Sequence, residues 1–134
     1  MIIDIENVFS EHQAVTATAA STNVVDLGAK PNQVQADVEK GRMSLLVQIT
    51  EAFDNLTDLK ISFETDDAEN FGTAEEVASK TVVLADLTLG KKVYMAIVPG
   101  LKRYIRMNYT VNGVAPTVGK VYSALVFDDQ LNGV

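Results

Sequence analysis

The run from Lys102 to Val111 alternates without interruption. Arg103, Ile105, Met107, Tyr109 and Val111 fall on one side of an extended chain, and Lys102, Tyr104, Arg106, Asn108 and Thr110 fall on the other. A repeat of two residues marks a strand that is half buried. The run lies inside a longer stretch, Lys92 to Asp128, whose three apolar-rich segments are separated by Pro99-Gly100 and by turn residues between Asn112 and Gly119. Val98 to Leu101 suits a type II turn, with Pro99 setting φ and Gly100 supplying a positive one. This stretch commits the chain to β structure.

Other segments follow the same pattern. Ser44–Thr50 places Leu45, Val47 and Ile49 on one face and Leu46, Gln48 and Thr50 on the other. Leu59–Thr65 points Leu59, Ile61 and Phe63 inward and Lys60, Ser62 and Glu64 outward. Further strands are predicted at Ala14–Ala20, Asn23–Leu27, Lys80–Leu84, Lys92–Val98 and Lys120–Asp128, with a turn at Thr88–Lys91 around Gly90. About eight strands at short spacing, with no βαβ alternation, predict an all-β sandwich or barrel. At most one short helix is expected. Thr73 and Glu76 have the spacing of a capping box, which predicts a turn or two of helix through Ala78.

Two segments invite attention as contact elements. Ala29–Arg42 is a long polar connection punctuated by Pro31 and Gly41, with a weak helical pattern in Val34 and Val38. Loops of that length in a compact domain are often functional. Residues 1–13 read as an N-terminal arm, either tucked against the sheet or paired with another subunit, and the first is preferred because termini are loose unless tied down.

The chain has 134 residues, which suits a single domain over 1–134 that folds without staples. It contains no Cys, so thiol catalysis, disulfides and cysteine-bound zinc are excluded. Net charge is −7, which disfavours nucleic acid as a partner. The acidic start MIIDIENVFSEHQ lacks the basic region and apolar core of a secretory leader, and no segment approaches the length of a membrane span, so no membrane partner is expected.

Chemistry is sparse. His12 is the single histidine, in a polar setting that reads as solvated. Asp66, Asp67 and Glu69 cluster, as do Asp128 and Asp129, but neither group follows the calcium-loop pattern, and solvated loops are the expectation. No Gly-rich phosphate loop or G-x-S-x-G elbow is present. Lys102, Arg103 and Arg106 beside Tyr104 and Tyr109 suit a protein interface or an ordinary sheet face better than a nucleic-acid platform in so acidic a chain.

Three long stretches carry a resemblance. QAVTATAASTNVVDLG (13–28), LLVQITEAFDNLTDLKISFET (45–65) and VPGLKRYIRMNYTVNG (98–113) resemble, in the same order, the capsid cement proteins of tailed bacteriophages, the family typified by a Bordetella phage. The likeness spans nearly the whole chain and departs at Ala29–Ser44 and Asp66–Ser79. It implies a jelly-roll β-sandwich made in the bacterial cytoplasm and carried on the exterior of the virion. It further implies binding where major capsid subunits meet, stabilisation of the shell and no catalysis, cofactor or metal. Self-paired copies are implied as well, a homodimer being preferred to a homotrimer. Aromatic and Arg residues anchor interfaces, so Phe9, Arg42, Phe53, Arg103, Tyr104 and Arg106 are the expected contact residues. The alternative is a carbohydrate-binding jelly roll, against which stands the absence of Trp.

Overall fold

The computed structural model describes residues 8–27, 43–96 and 101–127. Among the described residues nine strands follow one another: β1 Val8–Ala14, β2 Ala19–Ala20, β3 Val25–Asp26, β4 Met43–Glu51, β5 Leu56–Asp66, β6 Glu75–Val83, β7 Lys92–Ala96, β8 Tyr104–Gly113 and β9 Lys120–Phe127. One 3-10 turn, Leu84–Asp86, joins β6 to β7. All pairings are antiparallel, in two sheets ordered β1-β9-β4-β7 and β2-β8-β5-β6, with β3 also on β8. Because β2 and β3 share one edge of β8, they fill a single strand position. The position orders are then 1-8-3-6 and 2-7-4-5, the winding of a jelly roll.

Periodicity sets the register. Ile61 lies opposite Tyr109 and Phe63 opposite Met107, while Leu45 faces Met95 on one side and Leu125 on the other. These residues are all buried, and the two inner faces form one core with Phe9, Val93, Ile105 and Val121. A slip of one residue would turn every one of them outward, so burial pins the pairing. On the outer side of the first sheet, Leu46, Ala124 and Val8 lie in one row of the ladder and are buried, while Tyr94 at the end of that row is exposed.

A polar chain ties the two sheets through the core. Gln13 donates from Nε2 to the Ala20 carbonyl (2.9 Å), so its Oε1 accepts from the Thr22 N–H (2.9 Å) and from Ser10 Oγ (2.7 Å). With its proton so used, Ser10 Oγ accepts from the Tyr109 hydroxyl at 2.7 Å, and that hydroxyl accepts from Ser123 Oγ at 2.6 Å. The direction of every bond is thereby fixed. Burial pushes the Tyr109 phenol up to about 12, and the two serine hydrogen bonds oppose that only in part.

Several expectations change. Residues 8–13, the described part of the arm expected to tuck against the sheet, form most of an edge strand, twice bulged, against β9. Ala14–Ala20 is not one strand; Val15–Thr18 bends the chain from one sheet to the other, and only Ala19–Ala20 pairs with β8. The expected helix after Thr73 is a strand. Thr73 gives its N–H and hydroxyl to the Asp66 carboxylate (2.8 and 3.1 Å), and Glu75 begins β6 opposite Thr65. Pairing along β5 outweighs a local cap worth about 1 kcal/mol. The turn at 98–100 and the polar connection 29–42 lie outside the described residues.

Candidate interaction surface

The outer face of the second sheet gathers the basic residues of β8 with carboxylates from its neighbours. Antiparallel register places Arg106 opposite Glu64 and Asp66 opposite Tyr104. Arg106 Nε donates to Glu64 at 2.8 Å, and its guanidinium lies 4.3 Å from the centroid of the Phe71 ring. Arg103, just before β8, forks onto both carboxylate oxygens of Asp26 (2.9 and 3.0 Å) and lies over the Tyr104 ring at 5.1 Å. The Asp26 hydrogen bond raises the Arg103 pKa above its ordinary value. Lys60 pairs with Glu76 at 3.0 Å and Lys102 with Glu75 at 3.5 Å. Lys60 and Ser62 together hold the Glu76 carboxyl below its usual value. This face is a mesh of opposite charges paired within the molecule.

The turn leaving this face is built around Asp66. Loss of water around its carboxylate pushes its pKa up, but N–H donors at Thr73 and Ala68 and the Thr73 hydroxyl together hold it below the usual value. Asp66 is therefore a buried brace, where the sequence predicts a solvated loop residue, while Asp67 and Glu69 are exposed. Phe71 sits in the left-handed region, at φ 52°, yet is buried beneath Arg106. A bulky side chain in that conformation is strained, and the stacking holds it there.

At the opposite end, four loops are laced together: Val15–Thr18, 52–55, 84–91 and 114–119. Val15 N–H donates to the Gly119 carbonyl (3.0 Å) and Phe53 N–H to the Leu87 carbonyl (3.1 Å). Asp54 accepts the N–H of Thr117 at 2.6 Å, its hydroxyl, and the N–H of Val118 at 3.3 Å. The Thr117 hydroxyl does most to hold the Asp54 carboxyl below its usual value. Glu51 accepts the Gly119 N–H at 3.1 Å. Gly119, at φ 146°, lies against the Phe53 ring, where a Cβ would collide. Four of the large apolar side chains that remain exposed are carried here: Val83 (51%), Leu89 (73%), Val114 (68%) and Val118 (45%).

The six expected contact residues divide accordingly. Arg103, Tyr104 and Arg106 lie together on the outer sheet face, each partly exposed. Phe9 and Phe53 are corrected: both are core side chains, Phe9 edge-on to Phe63 at 6.3 Å and Phe53 under Gly119, so neither has appreciable surface for a partner. An apolar residue in a short polar segment reads as exposed from sequence alone, yet both are drawn in by the sandwich. Arg42 lies outside the described residues. His12 is exposed, at φ 50°, near the Tyr122 ring. Among the described residues no group of three or more His, Asp or Glu is placed to hold a metal. The sequence reading missed Leu89, Val114 and Val118; their signal was apolar residues inside turn-rich loops.

A family model named Bbp16, after a Bordetella phage protein, matches residues 9–126. The chain belongs to the Bbp16 family. The matched span runs from β1 to β9 and so takes in both sheets of the sandwich. No curated protein matches the chain. The phage origin of the Bbp16 name is compatible with a structural role in a phage.

Proposed function

We propose that this chain is a capsid cement protein, a non-catalytic clamp on the exterior of a phage head. It binds where major capsid subunits meet and stabilises the shell, with the major capsid protein and a second copy of itself as partners and no cofactor. The Bbp16 match over residues 9–126 carries this reading. The structure supports it in kind. A clamp needs a stiff body, and the sheets here are tied through Tyr109 while the loops of one end are tied through Asp54. Stiffness lowers the entropy lost on docking, and many modest contacts over a lattice add up through effective concentration.

The outer sheet face supports neither nucleic acid nor sugar as ligand. Lys102, Arg103 and Arg106 each already face a carboxylate, so few cations are left to neutralise phosphates. On this face Phe71 lies under Arg106 and Tyr104 under Arg103, so these two rings are already stacked on cations and offer less to a sugar.

The test is reconstitution. Heads assembled without the protein should bind it saturably and co-sediment with it, and decorated heads should survive heating and low salt that open bare ones. Equal survival of bare and decorated heads would overturn the proposal.

A further inference from the structure

We propose that the laced loop end, with Leu89, Val114 and Val118 at its surface, is the part of the molecule that seats on the shell protein. The inference rests on the cement reading and specifies its contact surface. Three observations carry it. The first is where apolar surface remains. The outer face of the second sheet is a mesh of paired charges, whereas the loops of this end hold side chains that are 45–73% exposed. Water gains nothing from them, and a partner does.

The second is charge. In a chain of net charge −7, Glu51 and Asp54 of this end are turned onto backbone N–H groups and the Thr117 hydroxyl. The opposite end presents Asp67 and Glu69 to solvent. The two ends thus hold their carboxylates differently: Glu51 and Asp54 are tied to loop backbone, with Asp86 exposed near them, whereas Asp67 and Glu69 stand at the surface of the turn after β5. Seating on the loop end leaves Asp67 and Glu69 facing water, where like charges on neighbouring copies repel.

The third is area, which decides between occupants. Four partly exposed aliphatic side chains amount to a few hundred Å². A stable free-standing dimer buries about 800 Å² on each partner. The tip is too small to hold two copies together in solution, but it suits one contact repeated over a lattice, where linked contacts multiply.

The experiment uses the full chain and heads assembled without it. Leu89→Asn, Val114→Asn and Val118→Thr change exposed side chains without adding charge, and Glu69→Lys alters the opposite end as a control. Circular dichroism and thermal melting establish that each variant is folded. Head binding is measured by co-sedimentation and self-association by sedimentation velocity. The wild type and Glu69→Lys should bind alike, and each tip variant should bind at least tenfold more weakly with unchanged sedimentation when free. Tip variants that bind heads as the wild type does overturn this assignment and leave the cement role standing. Tip variants that dissociate a wild-type oligomer while binding heads normally also overturn it, because the tip then serves a second copy. A wild-type chain with no affinity for heads removes both the assignment and the role beneath it.

Discussion

Tyr109→Phe removes one oxygen atom and keeps the ring, so it tests the polar chain through the core with little change in packing. The wild-type hydroxyl accepts from Ser123 Oγ and donates to Ser10 Oγ. Ser10 keeps Gln13 as its acceptor in the variant, whereas Ser123, fully buried, loses the one side-chain partner described for it. Two neutral hydrogen bonds are worth about 1 kcal/mol each, and a stranded buried hydroxyl costs about 1–3 kcal/mol. These overlap, because the second is partly the loss of the first, so the expected destabilisation is roughly 2–4 kcal/mol. Against a total of about 5–15 kcal/mol that is a large share. It corresponds to a fall in Tm of about 8–14 °C for a domain of this size. Urea titration and calorimetry measure it. Adding Ser123→Ala to Tyr109→Phe removes the stranded group and should restore part of the loss, giving a strongly non-additive cycle. A loss under about 0.5 kcal/mol in the single variant, or simple additivity in the double, would refute the directed chain of hydrogen bonds.

The same hydroxyl gives an independent pH signature. Burial pushes the folded phenol up to about 12, above the ordinary tyrosine value of about 10. Below pH 10 both states hold the proton, and its stabilisation is fully present. Between pH 10 and 12 the unfolded chain loses the proton while the folded one retains it, so stability falls as pH rises. The slope approaches 1.4 kcal/mol per pH unit and sums to roughly 2 kcal/mol by pH 12. Tyr109→Phe lacks this slope, and the difference between the two proteins isolates it from other alkaline titrations.

Three further outcomes are expected. Gly119→Ala should cost roughly 2–3 kcal/mol, as overpacking does, because its Cβ meets the Phe53 ring and its φ of 146° disfavours any side chain; a melting temperature equal to wild type would contradict that contact. Arg106→Lys keeps the charge beside Glu64 but loses the planar group over Phe71, and denaturant titration should show a loss of about 1 kcal/mol. The carboxyls of Asp54 and Asp66 are both held below the ordinary aspartate value, so their stabilisation is present above about pH 4 and is lost as pH falls through the lowered values. The Asp54→Asn, Asp66→Asn double variant should therefore be less stable at pH 7 and show a shallower decline in acid, which thermal melts from pH 7 to 2.5 would check.

How much of this was legible in the sequence depended on range. Alternation in Leu59–Thr65 and Lys102–Val111 declared two central strands and their buried faces, because a period of two survives whatever the strand pairs with. The segment at Thr73–Ala78 was misread, because its cap-like spacing is local while the decision to pair along β5 is made by residues ten to fifteen positions away. The same distance rule hid the fate of Phe9 and Phe53. Neither has periodic neighbours to announce burial, and their contacts, Phe63 and Gly119, are remote in sequence. Arg103, Tyr104 and Arg106 were found together because they lie within four residues at the start of β8, yet no single-strand reading reveals that Asp26, Glu64 and Glu69 come from elsewhere to neutralise the site.

That neutralisation bears on where a partner can gain affinity. Displacing Arg103 from Asp26 or Arg106 from Glu64 would forfeit a charge-assisted pair before any new one formed, so the net gain at that face is small. Leu89, Val114 and Val118 forfeit nothing except contact with water. Their loops are already held by Asp54, Glu51 and the Val15 N–H, so ordering them costs little at docking. The basic, aromatic strand that stands out in the sequence is therefore the part of the surface most satisfied within the fold. On the proposed seating, the plain aliphatic residues at the turns are where a partner gains binding free energy.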